Sequence, residues 1–160
     1  MAKIKTEQAE ETKEVIAPER VGKLLQLIKD GESYGKSILP IDSYNVRHGS
    51  RLSQGLTDMT VGEVYDLLKE DNKASGAYQI SRDTMEWLVK WSGLDVELDD
   101  PFSPQVQDRM AVRLLERRGL HEFLDGALSE EDFAGKLAKE WAGLPKDKEN
   151  ETFYDKAKME

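Results

Sequence analysis

Four hydroxyl residues, each placed just ahead of an apolar stripe of helical period, constrain this chain more than any other feature. Thr60 with Glu63 forms a T-x-x-E capping box, with Met59 and Val64 spaced for a hydrophobic staple, and predicts a helix through Leu68. Ser81 predicts a second, bearing Met85, Trp87, Leu88 and Trp91 up to Gly93. Ser103 followed by Pro104 opens the clearest one, with Val106, Met110, Ala111 and Leu114 on its inner face and Gly119 as its stop. Ser129 opens a last helix carrying Phe133, Leu137, Ala138 and Trp141, ended before Pro145. Upstream, Pro18 starts a helix in which Val21, Leu24, Leu25 and Ile28 follow the i, i+3, i+4, i+7 pattern, and Gly31 reads as its C-terminal stop. Glu32 is then expected immediately beyond a helix end.

Two stretches break the helical period. Ser33 to Asp58 is rich in Gly, Ser, Asn and Asp, and Ala77 to Ile80 is the other non-helical segment. A small irregular β lobe against a helical body accounts for both, which predicts an α+β fold with a cleft between its parts. The 160 residues suit one domain, expected over residues 18–145. Residues 1–17 are read as a disordered or loosely helical polar tail, and 146–160 as a charged tail partly docked through Phe153 and Tyr154.

Composition removes several function classes. With no cysteine there is no disulfide, thiolate nucleophile or Cys-based zinc site. His48 and His121 are the two histidines and form no His-x-x-x-His pair, so neither a metal nor a cofactor is expected. The run Asp95 to Asp100 lacks the glycine and terminal Glu of a calcium loop and reads as a solvated turn. A net charge of -9 and a pI near 4.9 argue against a nucleic-acid partner, since the one basic stretch, Arg113 to Arg118, is interrupted by Glu116 and two leucines. No window is apolar enough for a membrane span, and the polar, charged N-terminus shows no secretory signal.

Gly31 to Gly35 (GESYG) matches the Gly-x-Ser-x-Gly nucleophile elbow, with Ser33 in the nucleophile position. That elbow joins a strand to a following helix, whereas here a helix leads in and an irregular segment follows. Glu32 in the same motif is better placed for chemistry: a half-buried carboxylate at a helix-to-lobe junction holds its proton for acid catalysis. By spacing alone the pattern is too short to separate that role from an ordinary surface glutamate, which is the default. Trp87, Trp91 and Trp141 fall on helical stripes and read as core. Tyr34, Tyr44 and Tyr78 lie in or beside the irregular segments, where stacking on sugar rings is available, and the Gln79 amide can both donate to and accept from an N-acetyl group. His48 reads as a loop residue.

Taken in order, LIKDGES, Tyr44-Asn45, LTDMTVGEV (56–64), SGAYQI (75–80), FSPQVQD (102–108) and LAKEWAGLP (137–145) resemble the phage lambda lysozyme-type muramidases over about residues 20 to 145. The stretch from Lys36 to Ser43 departs from that pattern, and the C-terminal end is shorter and more charged than in many relatives. The resemblance implies a lysozyme-like fold and cleavage of the MurNAc–GlcNAc β-1,4 bond of peptidoglycan, with Glu32 as catalytic acid. It implies a glycan cleft lined by Tyr78 and Gln79, with Gly76 allowing close backbone approach. Ser33, Tyr44 and Asn45 complete the expected glycan-binding set. Lambda-type enzymes are lytic transglycosylases, in which one glutamate suffices; a hydrolase would need a second carboxylate, for which Asp42 and Asp58 are the candidates. The expected partner is the glycan strand, bound by a monomer. The enzyme would be made in the host cytoplasm and reach the wall through a pore or as a virion component beside other virion proteins. A catalytically inactive binding module of a virion is the alternative.

Overall fold

The computed structural model describes residues 18–32, 40–47 and 55–141. Ser33, Tyr34, His48 and the two tails, 1–17 and 146–160, lie outside the described residues, as does the side chain of Asp42. The described chain is mostly helical. Helix α1 spans Pro18–Glu32, and two short 3-10 helices follow at Pro40–Asn45 and Leu56–Asp58. Then come α2 (Val61–Asp71), α3 (Arg82–Lys90), α4 (Pro104–Arg117), α5 (Leu120–Leu124) and α6 (Glu130–Leu137).

The four caps form as their side chains require. Thr60 and Glu63 exchange both bonds of the capping box ahead of α2, while Ser81, Ser103 and Ser129 accept from Thr84, Val106 and Asp132 N–H at α3, α4 and α6. Helix α2 continues past Leu68 to Asp71, where Asn72 takes the left-handed conformation (φ 57°) that ends it. Helix α1 also runs on, through Gly31, so Glu32 is its last residue rather than the first beyond it. A glycine in the final turn costs about 1 kcal/mol at most, little against the burial of Leu24 and Ile28 on the same helix.

Helix α4 is the spine of the core. It packs on α1 and α5, while α2 packs on α3 and α5 on α6. Met110, Ala111, Leu114 and Leu115 of α4 join Leu24, Ile28, Leu68, Leu88, Phe102 and Phe133 in one cluster of fully buried side chains. Two expectations are not met among the described residues. No strand forms among the described residues; Arg47–Ser75, Thr60–Pro101 and Ser75–Ile80 are isolated bridges. The β lobe expected across Ser33 to Asp58 is therefore, where described, a pair of 3-10 turns joined by a side chain: Asn45 Oδ1 accepts from both the backbone N–H and the hydroxyl of Thr57. Trp91, expected on the core stripe of α3, is 66% exposed. The helix stops at Lys90, and Trp91 leaves the helical path at φ -130°, ψ -8°, so its side chain no longer follows the stripe. Trp141 is core as expected, its indole N–H donating to the Tyr78 carbonyl.

The acidic run 95–100 is also less solvated than its composition suggests. Asp100 is buried, its carboxylate accepts from Glu97 N–H, and its carbonyl accepts from Val61 N–H at the start of α2.

Candidate active site

Against Lys29 of α1, three separate stretches of chain meet: the first 3-10 helix, the turn from Ser75 to Ile80 and the first half of α4. Gln107 joins them. Its carbonyl oxygen accepts from Ala77 N–H at 2.9 Å, and its amide nitrogen donates to the carbonyls of Tyr44 and Phe102, both at 3.1 Å. The side chain is wholly buried, so each of these bonds satisfies a group that water does not reach. Gly76 fits against it. With φ at +88°, and with an added Cβ overlapping the Gln107 carbonyl oxygen, only glycine fits there. The close approach expected at Gly76 is thus made by this chain's own Gln107.

One residue on, Asp108 collects two phenols. Its Oδ1 accepts from the Tyr78 hydroxyl at 2.6 Å and from the Tyr44 hydroxyl at 2.9 Å. Lys29 of α1 donates to the Tyr44 oxygen at 3.1 Å, and its ammonium lies 5.1 Å from the ring centroid. The two rings meet edge to face, 6.5 Å apart. Burial first, and then the charge of Asp108, hold the Tyr78 phenol protonated far above its ordinary range. Burial also raises Tyr44, opposed in part by the bond from Lys29 and aided by Asp108.

Arg47 pins the same segment from the other side. Its guanidinium bonds the Ser75 hydroxyl at 3.3 Å and the Asp71 carboxylate at 2.6 Å. Burial pushes the Asp71 carboxyl up, but the Lys73 N–H and the Arg47 guanidinium outweigh it and leave it below the usual carboxylate range.

The residues singled out in the sequence fall into distinct places. Glu32 is partly buried at the C-terminal end of α1, one helical turn beyond Lys29 and on the same side of the helix. Tyr44 is half-buried over Lys29. Tyr78 is 1% exposed, so its ring faces the core and its hydroxyl is taken by Asp108. Gln79, at φ 50°, donates its amide hydrogens to the carbonyls of Val46 and Gly76. Asn45 is spent on Thr57. Asp58 is exposed at the end of its turn. The structure therefore brings Tyr44, Gly76, Tyr78 and Gln79 together and adds Lys29, Gln107 and Asp108, which the sequence reading did not single out.

A cavity of about 350 Å³ lies elsewhere, at the C-terminal end of α4, bordered by Arg117, Arg118, Gly119 and Lys136, with none of these site residues in its wall. Among the described residues no three His, Asp or Glu side chains cluster as a metal site, and no helix is long and apolar enough to cross a membrane.

Comparison with known proteins gives one family. The family model described as Endolysin matches residues 24–159, most of the chain, and the protein belongs to that family. No curated protein and no solved structure matches it. Endolysins are phage enzymes that degrade peptidoglycan, so the chain is a cell-wall-degrading enzyme acting on that polymer.

Proposed function

From membership of the endolysin family, we propose that this protein is a lysozyme-like muramidase that cleaves the MurNAc–GlcNAc β-1,4 bond as a lytic transglycosylase, with Glu32 as its one acid and base. The observation that carries this reading is the position of Glu32. It ends α1 partly buried, three residues beyond the Lys29 that donates to the Tyr44 hydroxyl. In its proton-bearing form this carboxyl group would protonate the leaving glycosidic oxygen.

A hydrolase would need a second catalytic carboxylate, and the Asp108 carboxylate already holds two tyrosine hydroxyls on Oδ1. A single-carboxylate route avoids the need. Glu32 gives its proton to the bridging oxygen as the C1–O bond of MurNAc breaks. The resulting carboxylate takes the proton of the same sugar's 6-hydroxyl, whose oxygen bonds to C1 and closes a 1,6-anhydro ring. No water is consumed, and Glu32 ends protonated as it began. The Tyr44 hydroxyl, fixed between Lys29 and Asp108, and the segment held by Gln79 and Asn45 would form the glycan wall, and Ser33, which follows Glu32 in the sequence, is the remaining proposed contact.

The test is mass spectrometry of muropeptides released from Gram-negative peptidoglycan. Products ending in 1,6-anhydroMurNAc are expected, and Glu32→Gln should abolish them. Reducing MurNAc ends, heavier by one water, would overturn the transglycosylase step. They would favour a hydrolase using Asp58, exposed on the turn that Thr57 ties to Asn45, or Asp42.

A further inference from the structure

An acidic enzyme whose substrate is commonly an anionic wall has an adverse long-range charge, and one face of this molecule is built differently from the rest. On α3 and just past it, Trp87 and Trp91 stand one turn apart. Trp91 is 66% exposed, the most exposed large apolar side chain among the described residues. Trp87 is half-buried, with the guanidinium centres of Arg117 and Arg113 at 4.2 and 5.0 Å from its ring centroid. Lys90 lies 5.9 Å from the Trp91 ring.

The charges on this face do not cancel. Arg117 and Arg118 share the single carboxylate of Glu140, which is buried, and Lys90 is matched by Glu86 at 3.4 Å. Arg113 donates its Nε–H to the Ser92 carbonyl at 3.0 Å and pairs with no carboxylate among the described residues. Glu116 turns towards His121 instead. A net positive, tryptophan-bearing surface thus stands on a chain of net charge -9.

Its location separates it from the candidate active site. At about 100° per residue, Arg113 and Arg117 lie roughly 140° and 180° around α4 from Asp108. The helix therefore presents its acid to the tyrosine cluster and its arginines to the opposite side.

We propose that this face is a second, non-catalytic peptidoglycan-binding surface, in which Trp91 stacks on a sugar ring and Arg113 pairs with a carboxylate of the attached stem peptide. The inference rests on the muramidase reading for the identity of the polymer. Charge complementarity selects the occupant. An exposed indole offers a flat apolar face, a guanidinium offers the paired donors that fit a carboxylate, and Trp and Arg are the side chains that most often dominate binding surfaces. A glycan carrying acidic peptides supplies both partners at short repeat. A lipid surface fits less well, since Trp87 is already covered by two cations and adds no apolar depth. Such a surface would hold the enzyme on an insoluble polymer between cleavages.

The experiment is co-sedimentation with purified Gram-negative sacculi, made in a Glu32→Gln background so that the polymer persists, together with turnover of a short soluble glycan by the otherwise native enzyme. Trp91→Ala and Arg113→Gln should each weaken sacculus binding about tenfold, roughly 1.4 kcal/mol, and slow sacculus lysis. Turnover of the short glycan should not change. Arg113→Lys, which keeps the charge but not the paired donors, should recover only part of the binding. Unchanged binding in both variants would overturn the proposal. So would loss of binding to anionic phospholipid vesicles instead of sacculi, or conversion of a dimer to a monomer with sacculus binding intact. If the Glu32→Gln protein still degrades sacculi, the catalytic reading fails while the sedimentation comparison, repeated at low temperature over short times, still decides the surface.

Discussion

Removing the carboxylate of Asp108 should destabilise the protein through two tyrosines that are far from it in sequence. In Asp108→Ala the Tyr78 hydroxyl, on a ring only 1% exposed, loses its acceptor at 2.6 Å. Leaving a buried donor unpaired costs about 1–3 kcal/mol. The half-buried Tyr44 hydroxyl keeps Lys29 and gains access to water, so its loss is smaller, on the order of 0.5–1 kcal/mol. The expected total is about 1.5–4 kcal/mol. At roughly 2–4 °C per kcal/mol for a chain of this size, the melting temperature should fall by about 3–16 °C. Asp108→Asn keeps an acceptor but not its charge and should cost about half as much.

Urea unfolding of wild type, Asp108→Ala, Tyr78→Phe and the double variant closes the cycle. Because each single change removes the same bond, the double variant should be more stable than the sum of the singles predicts, by about 1–2 kcal/mol. A coupling below about 0.3 kcal/mol, or an Asp108→Ala protein within about 0.5 kcal/mol of wild type, would refute the reasoning that this carboxylate holds the two phenols.

Glu32→Gln should lower muropeptide release by about 10²–10⁴-fold, the usual contribution of a general acid, while circular dichroism shows an unchanged fold; a loss below tenfold would remove Glu32 from catalysis. Gly76→Ala should destabilise by about 2 kcal/mol or more in thermal unfolding, because it adds left-handed strain of about 1–2 kcal/mol to an overlap with the Gln107 carbonyl. Stability should be flat up to about pH 10 in the tyrosines' contribution and fall above it. The unfolded phenols release their protons there, while the Tyr78 phenol, raised in the fold, keeps its own. The slope from Tyr78 should approach 1.4 kcal/mol per pH unit, with a smaller share from Tyr44. Absorbance at 295 nm should show Tyr78 ionising only as the chain unfolds, and Tyr78→Phe should flatten this alkaline limb.

What could be read from the sequence was what is decided locally. A cap needs its acceptor side chain at one position and an N–H three residues on, so Thr60, Ser81, Ser103 and Ser129 announced α2, α3, α4 and α6 without knowledge of the fold. Helix ends were harder. Gly31 looked like a stop but lies inside α1, because packing of Leu24 and Ile28 outweighs a small propensity cost. Trp91 looked like core because periodicity assumes that the helix continues, and a helix that ends one residue earlier sends the same side chain into solvent. The β lobe was inferred from polar composition, which cannot distinguish strands from 3-10 turns closed by an asparagine.

The candidate site divides along the same line. Glycine and tyrosine at 76 and 78 were visible as types, but whether the tyrosine faces sugar or core depends on a partner 30 residues away. One signal for that partner was present. Gln107 lies three and four residues before Met110 and Ala111, so it interrupts the inner stripe of α4 with an amide that must be satisfied if buried. A polar side chain on a core stripe demands backbone partners from elsewhere, and here these are Ala77, Phe102 and Tyr44. Asp108 follows it at the edge of the same stripe, where a carboxylate persists only with donors to hold it. Reading that pair as a demand for partners points to the segment holding Gly76 and Tyr78 as the piece that packs there. It also means that Tyr78 acts on Tyr44 through a shared partner, since Asp108 holds both hydroxyls and the Tyr44 oxygen in turn accepts from Lys29.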